Sequence, residues 1–188
     1  AGGLIGHADD DVKLSNSTNS GRVHAFKEAG GLIGSLGLLG ENGSVFRATG
    51  SVNNGAVVSD TTNAGGLAGT LDSMNLTVSG CRNYGTVTGK SAVGGGAINC
   101  YGKIETAWTR AYFVDCVISN SVASWGGAMY GGTAIRCVFD LCKGQRAACV
   151  LTGAYAFSCA MTRGSCVTVN YSLDADSVAV NCSFVANT

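Results

Sequence analysis

The sequence predicts an all-β fold in which short parallel strands stack as the coils of a β-solenoid. Two observations concern repetition: apolar residues alternate with polar ones at a period of two, and one such phrase recurs roughly every 20 to 25 residues. The third is composition, because 29 glycines and no prolines supply many tight turns. Since one coil cannot bury its inner face alone, such units are stable only when they stack around a shared core.

The composition limits the classes of protein and partner. A length of 188 residues favours one domain. With 46% hydrophobic and only 13% charged residues, the chain is not predicted to be disordered. A formal net charge of zero gives no electrostatic reason to expect a nucleic-acid partner. No apolar run is long enough for a membrane-spanning helix, so we expect no membrane insertion by this segment.

Residues 1–91 contain a glycine phrase that is followed each time by an Asn-x-Gly-x-Val phrase. Glycine and asparagine suit corners, where the chain needs a positive φ or a side chain that bonds its own backbone. Asparagines at equivalent corners are predicted to stack into ladders along the solenoid. The glycine phrase is AGGLIG at 1–6 and 29–34 and AGGLAG at 64–69; the asparagine phrase stands at 19–23, 54–57 and 83–87.

Residues 92–188 keep a shorter GGA phrase and add a repeated cysteine. Cys116, Cys137, Cys159 and Cys182 are separated by 21, 22 and 23 residues, and Cys100 fits the same phrase one step earlier. Because cysteine is small and apolar, these five are predicted to form an inward-facing core ladder. If each cysteine phrase is one continuous strand, alternate residues point to the same side. The inward residues are then Val114-Cys116-Ile118, Ile135-Cys137-Phe139, Phe157-Cys159-Met161 and Val180-Cys182-Phe184. The residues between them that point outward are Asp115, Arg136, Ser158 and Asn181.

The cysteines leave two other interpretations open, a disulfide framework and a metal site. Stacked neighbours are close enough for a disulfide on distance alone. Cys142, Cys149 and Cys166 fall outside the ladder in turn-like segments and are the disulfide candidates, as Cys142–Cys149 or Cys149–Cys166. The nine cysteines form an odd set, so at least one is unpaired in a monomer. No metal site is predicted, since CxxC pairs with histidine partners are lacking.

The repeats resemble those of known bacterial surface proteins. The stretch AGGLAG...CRNYGTVTG at 64–89 resembles the GLUG-type repeat, and WGGAMYGG, AIRCVFD and AVNCSFVAN resemble polymorphic outer-membrane and autotransporter-passenger repeats. The resemblance implies a single-stranded right-handed parallel β-helix over residues 1–188, at an extracellular or cell-surface location. The repeat spacing corresponds to roughly eight coils.

Candidate ligand-binding residues are the aromatic side chains of residues 101–130. Trp108, Tyr112, Trp125 and Tyr130 cluster there, and aromatic rings on the face of a β-helix can stack on sugar rings. The same rings could instead pack a loop against the solenoid, and that alternative stays open.

No catalytic residue and no cofactor are predicted. His7 and His24 are the only histidines and are interpreted as isolated surface residues, since no Ser-His-Asp spacing converges in the sequence. Asp174 and Asp176 are a carboxylate pair in one turn, the basis of a third-ranked hypothesis of a polysaccharide lyase or hydrolase.

The leading functional expectation is a non-enzymatic extracellular structural module: a surface stalk, an adhesin passenger or a self-stacking filament subunit. The sequence begins and ends inside repeats without a polar capping segment. We therefore expect its ends to meet other copies or the flanking coils of a longer chain. The alternative is a carbohydrate-binding β-helix that contacts surface glycans through residues 101–130.

Overall fold

The computed structural model describes residues 1–37, 45–71, 75–89, 98–99, 110–123, 127–144, 151–152, 154–166 and 177–185. Within these ranges every regular element is a β-strand. The paired strands are parallel throughout. The predicted all-β class with parallel strands is confirmed.

The strands are short, which agrees with the turn-rich sequence. In chain order they are β1 (Ile5–Ala8), β2 (Val12–Ser15), β3 (Thr18–Asn19), β4 (Val23–Ala25), β5 (Ala29–Gly30), β6 (Ile33–Leu36), β7 (Val45–Thr49), β8 (Val52–Asn53), β9 (Val57–Ser59), β10 (Ala64–Gly65), β11 (Ala68–Leu71), β12 (Asn75–Ser79), β13 (Arg82–Asn83), β14 (Val87–Gly89), β15 (Ile98–Asn99), β16 (Arg110–Val114), β17 (Val117–Ser119), β18 (Ser121–Ala123), β19 (Met129–Tyr130), β20 (Thr133–Ile135), β21 (Val138–Asp140), β22 (Lys143–Gly144), β23 (Leu151–Thr152), β24 (Tyr155–Phe157), β25 (Ala160–Thr162), β26 (Ser165–Cys166), β27 (Val178–Val180) and β28 (Ser183–Val185).

Among the described residues these strands form four sheets of six or seven strands and one two-stranded pair, β5 with β10. Sheet 1 is β1-β6-β11-β15-β19-β23, sheet 2 is β2-β7-β12-β16-β20-β24-β27, sheet 3 is β3-β8-β13-β17-β21-β25-β28, and sheet 4 is β4-β9-β14-β18-β22-β26. The chain passes through sheets 1 to 4 in order six times, and the last described strands, β27 and β28, again belong to sheets 2 and 3. We call one such passage a rung. Each rung stacks on the one before it, which is the strand arrangement expected of a β-solenoid.

A left-handed corner joins sheet 2 to sheet 3 in each rung. One residue with positive φ turns the chain, and a small residue follows it. This conformation is unusual for residues with a side chain. The corner residues are Asn16 (φ 48), Gly50 (φ 58), Gly80 (φ 60), Asp115 (φ 55), Arg136 (φ 51), Ser158 (φ 52) and Asn181 (φ 52).

This corner corrects the predicted side-chain alternation. Val114 was expected to point inward and Asp115 outward within one continuous strand, but β16 ends at Val114 and β17 begins at Val117. The left-handed residue shifts the alternation by one position, so the inward residue before the corner is Phe113, which is 1% exposed.

The same shift applies in the following rungs. Ala134 and Ala156 are fully buried in place of Ile135 and Phe157. Val180, also predicted inward, is 42% exposed. After the corner the predicted alternation holds for three rungs, because Ile118, Phe139 and Met161 are fully buried. In the next rung Phe184 of β28, which is also predicted to point inward, is 45% exposed.

A column of small residues lines the core directly after these corners. Cys116, Cys137 and Cys159 are buried at 0%, 1% and 3% exposure. The Cys159 Sγ accepts a hydrogen bond from the Cys137 backbone N–H at 3.4 Å, and the Cys182 Sγ accepts one from the Cys159 N–H at 3.4 Å. Each rung is thereby tied to the next. The column consists of Ser17, Ser51, Cys81, Cys116, Cys137, Cys159 and Cys182.

Asparagines line the core of the first rungs at the end of the sheet 3 strands. Asn19 Nδ2 donates to Asn53 Oδ1 at 2.8 Å, and Asn53 Nδ2 donates to Asn83 Oδ1 at 2.7 Å. The ladder ends where Asn83 Nδ2 donates to the Ser119 carbonyl at 3.1 Å. Asparagines therefore do stack along the rungs, although the second member is Asn53 and not Asn54, with which the phrase at 54–57 begins. Their amides satisfy one another inside the core as buried polar groups require.

The glycine and asparagine phrases occur together because they contact each other across the core. A Cβ at Gly31 would lie 2.4 Å from the Asn53 Cγ, and one at Gly66 would lie 2.3 Å from the Asn83 Cγ. Only a residue without a side chain leaves room for the carboxamide. The repeated glycine is therefore a packing requirement of the asparagine ladder.

Candidate functional site

The predicted aromatic cluster is only partly within the described residues. Trp108 and Trp125 lie outside them. Tyr130 is the second residue of β19 in sheet 1, whereas Tyr112 lies in β16 of sheet 2 and is 43% exposed. The two tyrosines therefore belong to different sheets and do not share one sheet face.

Tyr112 instead belongs to an exposed apolar surface on sheet 2. Two columns of outward residues run side by side along the sheet, in register from one strand to the next. Because adjacent parallel strands lie about 4.8 Å apart, the side chains in each column are contiguous. We call this surface the apolar face; its columns are Tyr112-Thr133-Tyr155-Val178 and Val114-Ile135-Phe157-Val180.

Several of these side chains are substantially open to solvent. Phe157 is 38% exposed, Val178 is 43% exposed and Val180 is 42% exposed. A contiguous exposed apolar surface commonly marks an interaction site. The apolar face therefore qualifies as a candidate contact surface.

The same two columns are polar in the earlier rungs. One continues from Tyr112 through Thr77 and Arg47 to Lys13, and the other consists there of Ser79, Thr49 and Ser15. The face thus changes from polar to apolar along the stack of rungs. The candidate contact surface is therefore confined to the later rungs.

This face is not apparent from the predicted alternation, which places half of its residues in the core. A usable signal was present, since the residue before each column cysteine or serine is Asn, Gly, Asp, Arg or Ser. Glycine, asparagine and aspartate are the residues that most often adopt positive φ. If that position is taken to mark a corner, the alternation predicts that the preceding residues point outward; these are Val114, Ile135, Phe157 and Val180.

A second group of side chains lies on the outer side of sheet 1. His7 and Ser35 are in register on β1 and β6, and the His7 Nδ1 lies 2.7 Å from the Ser35 Oγ. The other ring nitrogen, Nε2, lies 2.8 Å from the Asp9 Oδ1. The expectation that His7 is isolated and that no Ser-His-Asp set converges is therefore wrong. Strand register brings together residues that sequence spacing keeps apart.

The second histidine has a carboxylate partner but lies beside a valine on the next strand. His24 Nε2 is 3.0 Å from the Asp60 Oδ1, and its register partner on β9 is Val58. Among the described residues there is thus one complete Ser-His-Asp arrangement and one His-Asp pair that differs in its strand neighbour.

The thiols of Cys137 and Cys159 in the column have raised pKa values. Hydrogen bonding with Cys116 and burial raise the pKa of the Cys137 thiol to about 12. Hydrogen bonding with Cys137 and burial raise the pKa of Cys159. The thiolate is the nucleophile and the metal ligand, so thiols that stay protonated at neutral pH serve as packing groups.

The disulfide candidates have different placements. Cys142 lies directly after Leu141, the left-handed residue (φ 52) at the corner between sheets 3 and 4, and is fully buried as a free thiol. Burial raises its pKa to about 12. Cys166 is the last residue of β26, while Cys149 and the ladder candidate Cys100 lie outside the described residues.

The remaining expectations from the sequence concern a carboxylate pair, a metal site and a membrane-spanning helix. Asp174 and Asp176 lie outside the described residues. Within the ranges that the structure describes, no group of three or more His, Cys, Asp or Glu side chains could hold a metal ion. None of the described segments is a helix of the length and apolarity needed to cross a membrane.

Comparison of the chain with protein-family models, with curated proteins and with solved structures finds no match. A functional assignment consequently depends on the geometry of this molecule.

Proposed function

We propose that the chain is a structural module of a bacterial surface, built as one right-handed parallel β-helix of roughly eight coils over residues 1–188. In this role it is a stalk, an adhesin passenger or a filament subunit, located outside the cell. One observation carries the proposal: the residues that recur along the chain, namely the glycines of the AGGL phrase, the asparagines and the cysteines, are used for packing between rungs.

The hydrogen bonds along the core favour this role. The asparagine ladder ties rungs together in the first half and the cysteine column ties them in the second, on top of the parallel backbone pairing. Each rung depends mainly on its neighbours, so length can be extended without redesigning the core. A stalk or filament needs this property.

The thiols are compatible with an extracellular location. Burial raises the pKa of the Cys142 thiol, and hydrogen bonding together with burial raises the pKa of Cys137 and Cys159; the protonated form is less open to oxidation and disulfide exchange in oxidising surroundings. Reactive surface thiols would be a liability there.

The partner of the module is another rung, supplied by a second copy or by flanking coils of a longer chain. Phe184 of β28 is 45% exposed, whereas Met161, the equivalent residue one rung earlier, is fully buried. Val185 is 55% exposed. An inward column that ends in a half-exposed phenylalanine on an edge strand favours the addition of a further strand.

Electron microscopy of the protein over a range of concentrations tests this proposal. We expect rods of constant width that lengthen with concentration if copies stack end to end, and Phe184→Asp should shorten them. If the partners are flanking coils, the isolated chain stays short and a version extended by further repeats forms the longer rod. Broad sheets or rods that thicken sideways would contradict both forms of the proposal.

Carbohydrate binding is the second candidate, and the apolar face favours it. Tyr112 lies between the hydroxyl-bearing residues Thr77 and Thr133, and Tyr155 lies one strand further along. Aromatic rings beside hydroxyl groups on a flat face suit the apolar and polar sides of a sugar ring. A glycan-binding screen should show retention that Tyr112→Ala abolishes and that Tyr84→Ala, altering a tyrosine 47% exposed on the sheet 3 side, leaves unchanged. Equal retention by both variants would remove the apolar face as the glycan site.

A further inference from the structure

Ser35, His7 and Asp9 form a continuous hydrogen-bonded chain of the kind used in nucleophilic catalysis. The His7 imidazole stands in the middle, with the Ser35 Oγ 2.7 Å from Nδ1 and the Asp9 Oδ1 2.8 Å from Nε2. Asp9 accepts the Nε2–H, and this fixes the tautomer whose unprotonated Nδ1 faces the serine hydroxyl. The hydroxyl then donates to Nδ1, so the proton that a nucleophilic serine must lose is already directed at a base.

The sheet holds this arrangement in place. His7 and Ser35 are register partners on the paired strands β1 and β6, so their separation is fixed by backbone hydrogen bonding. Asp9 directly follows β1. Gly37 leaves room for its carboxylate, because a Cβ there would lie 2.7 Å from the Asp9 Oδ1. The set therefore stands on regular strands and their immediate ends, where a positioned site is most accurate.

We propose that Ser35 is a nucleophile that accepts the acyl group of small activated esters, with His7 as its general base and Asp9 as the residue that orients His7. This activity is independent of the structural role proposed above. The Ser35 Oγ attacks the ester carbonyl carbon as its proton passes to His7 Nδ1. The bond from that carbon to the alcohol oxygen breaks, the leaving oxygen takes the proton from His7, and the acyl group stays on Ser35. Water, deprotonated by His7, then releases the acid and restores the serine.

The openness of the site sets the class of substrate. The side chains of His7 and Asp9 are 55% and 62% exposed, so the residues that the structure describes around them do not enclose a long acyl chain or exclude water. At such a face, water solvates the negative charge that develops on the carbonyl oxygen, and the preorganised stabilisation of an enclosed site is missing. Small esters with good leaving groups are therefore the substrates that fit, and acylation should be easier to observe than rapid turnover.

A fluorophosphonate probe tests the proposal, because it forms a stable bond with an activated serine. The folded protein is incubated with the probe, and the modified residue is located by peptide mass spectrometry, with the urea-unfolded chain as the baseline. We expect labelling at Ser35 at a rate at least tenfold above that baseline, since a positioned general base contributes about 100-fold or more in enclosed sites. His7→Ala should lower the rate to the baseline, and Asp9→Asn should lower it to a smaller extent.

The His24–Asp60 pair supplies the matched control. His24→Ala removes an exposed histidine with the same type of partner and should leave the labelling of Ser35 unchanged. Hydrolysis of p-nitrophenyl acetate gives a second readout, and Ser35→Ala should abolish the part of it that depends on His7. Thermal unfolding followed by circular dichroism verifies that each variant is folded. Labelling of Ser35 that is no faster than in the unfolded chain, or equally fast in folded His7→Ala, would overturn the proposal and leave the His7–Ser35 contact as a hydrogen bond between rungs.

Discussion

The carboxamide of Asn53 occupies the space that a side chain at Gly31 would need. A Cβ at residue 31 would lie 2.4 Å from the Asn53 Cγ and 1.9 Å from the carbonyl oxygen of Gly66 in the next rung. The same carboxamide donates to the Asn83 Oδ1 at 2.7 Å and to the Gly55 carbonyl oxygen at 2.9 Å. The glycine phrase and the asparagine phrase of the first half therefore recur together because each glycine packs against an asparagine side chain of the ladder.

Gly31→Ala should strongly destabilise the protein. The added methyl group would meet backbone and a buried amide that cannot move independently, and overpacking of a core typically costs about 1–3 kcal/mol. Gly6→Ala is the matched control, because a Cβ at Gly6 meets nothing within 4 Å. We expect it to change the free energy of unfolding by less than about 0.5 kcal/mol. Urea unfolding of both variants measures the difference, and equal stability would show that residue 31 is not packed against the ladder.

Asn53→Ala should break the asparagine ladder in its centre. It removes the acceptor of the Asn19 amide and the donor to Asn83, and each buried polar group left without a partner costs about 1–3 kcal/mol. Asn54→Ala is the control, since Asn54 is the adjacent exposed asparagine. Chemical unfolding should separate the two variants clearly. A loss of the same size in both would mean that the ladder contributes nothing specific.

The alternation at the corner can be tested with neighbouring residues of β24. Ala156 is fully buried, so Ala156→Leu should overpack the core and lower the unfolding free energy by about 1–3 kcal/mol. Phe157 is 38% exposed, so Phe157→Leu should change it by less than about 0.5 kcal/mol. If Phe157→Leu were the more destabilising of the two, Phe157 would point into the core as in one continuous strand. The apolar face would then not exist.

The buried thiols should make the fold sensitive to alkaline pH. The pKa of Cys137 is raised from 9.0 to about 12, so its thiol stays protonated in the folded state while the unfolded chain ionises above pH 9. Its contribution to stability is complete below pH 9 and is lost as the pH rises towards 12. Between these limits each such thiol lowers the unfolding free energy by about 1.4 kcal/mol per pH unit.

Other groups also titrate in this range, so the measurement is a difference. The unfolding free energies of the wild type and of Cys137→Ser are compared at several pH values between 8 and 11. Serine lacks the titration, and we expect the variant to lose less stability than the wild type as the pH rises. Parallel pH profiles would show that the Cys137 thiol is not shielded.

The sequence sufficed for the features that depend on repetition. The parallel all-β class follows from the spacing of the phrases, and the asparagine ladder follows from equivalent corners that stack. Cys81 belongs to the same column as Cys116 and Cys137, although it lies in the rung where the two types of repeat meet and was not assigned to the ladder.

Positive φ at residue types that rarely adopt it, and contacts that depend on strand register, were not predictable. Arg136 and Leu141 adopt positive φ although neither residue type favours it. At Arg136 a tertiary contact offsets that preference, since its guanidinium donates two hydrogen bonds to the Asp115 carboxylate at 2.7 and 2.8 Å and lowers the pKa of that carboxyl group. The Ser35–His7 contact joins residues 28 positions apart and arises only when β1 and β6 are paired in register.

The most direct test of the stacked-rung structure is nuclear Overhauser spectroscopy of the cysteine column. The Cys137 backbone nitrogen lies 3.4 Å from the Cys159 Sγ, and the Cys159 nitrogen lies 3.4 Å from the Cys182 Sγ. We therefore predict cross-peaks from the amide protons of Cys137 and Cys159 to the β-protons of the cysteine one rung later. Cross-peaks confined to sequence neighbours, or the close Hα–Hα contacts of antiparallel strands, would contradict the structure and the function proposed from it.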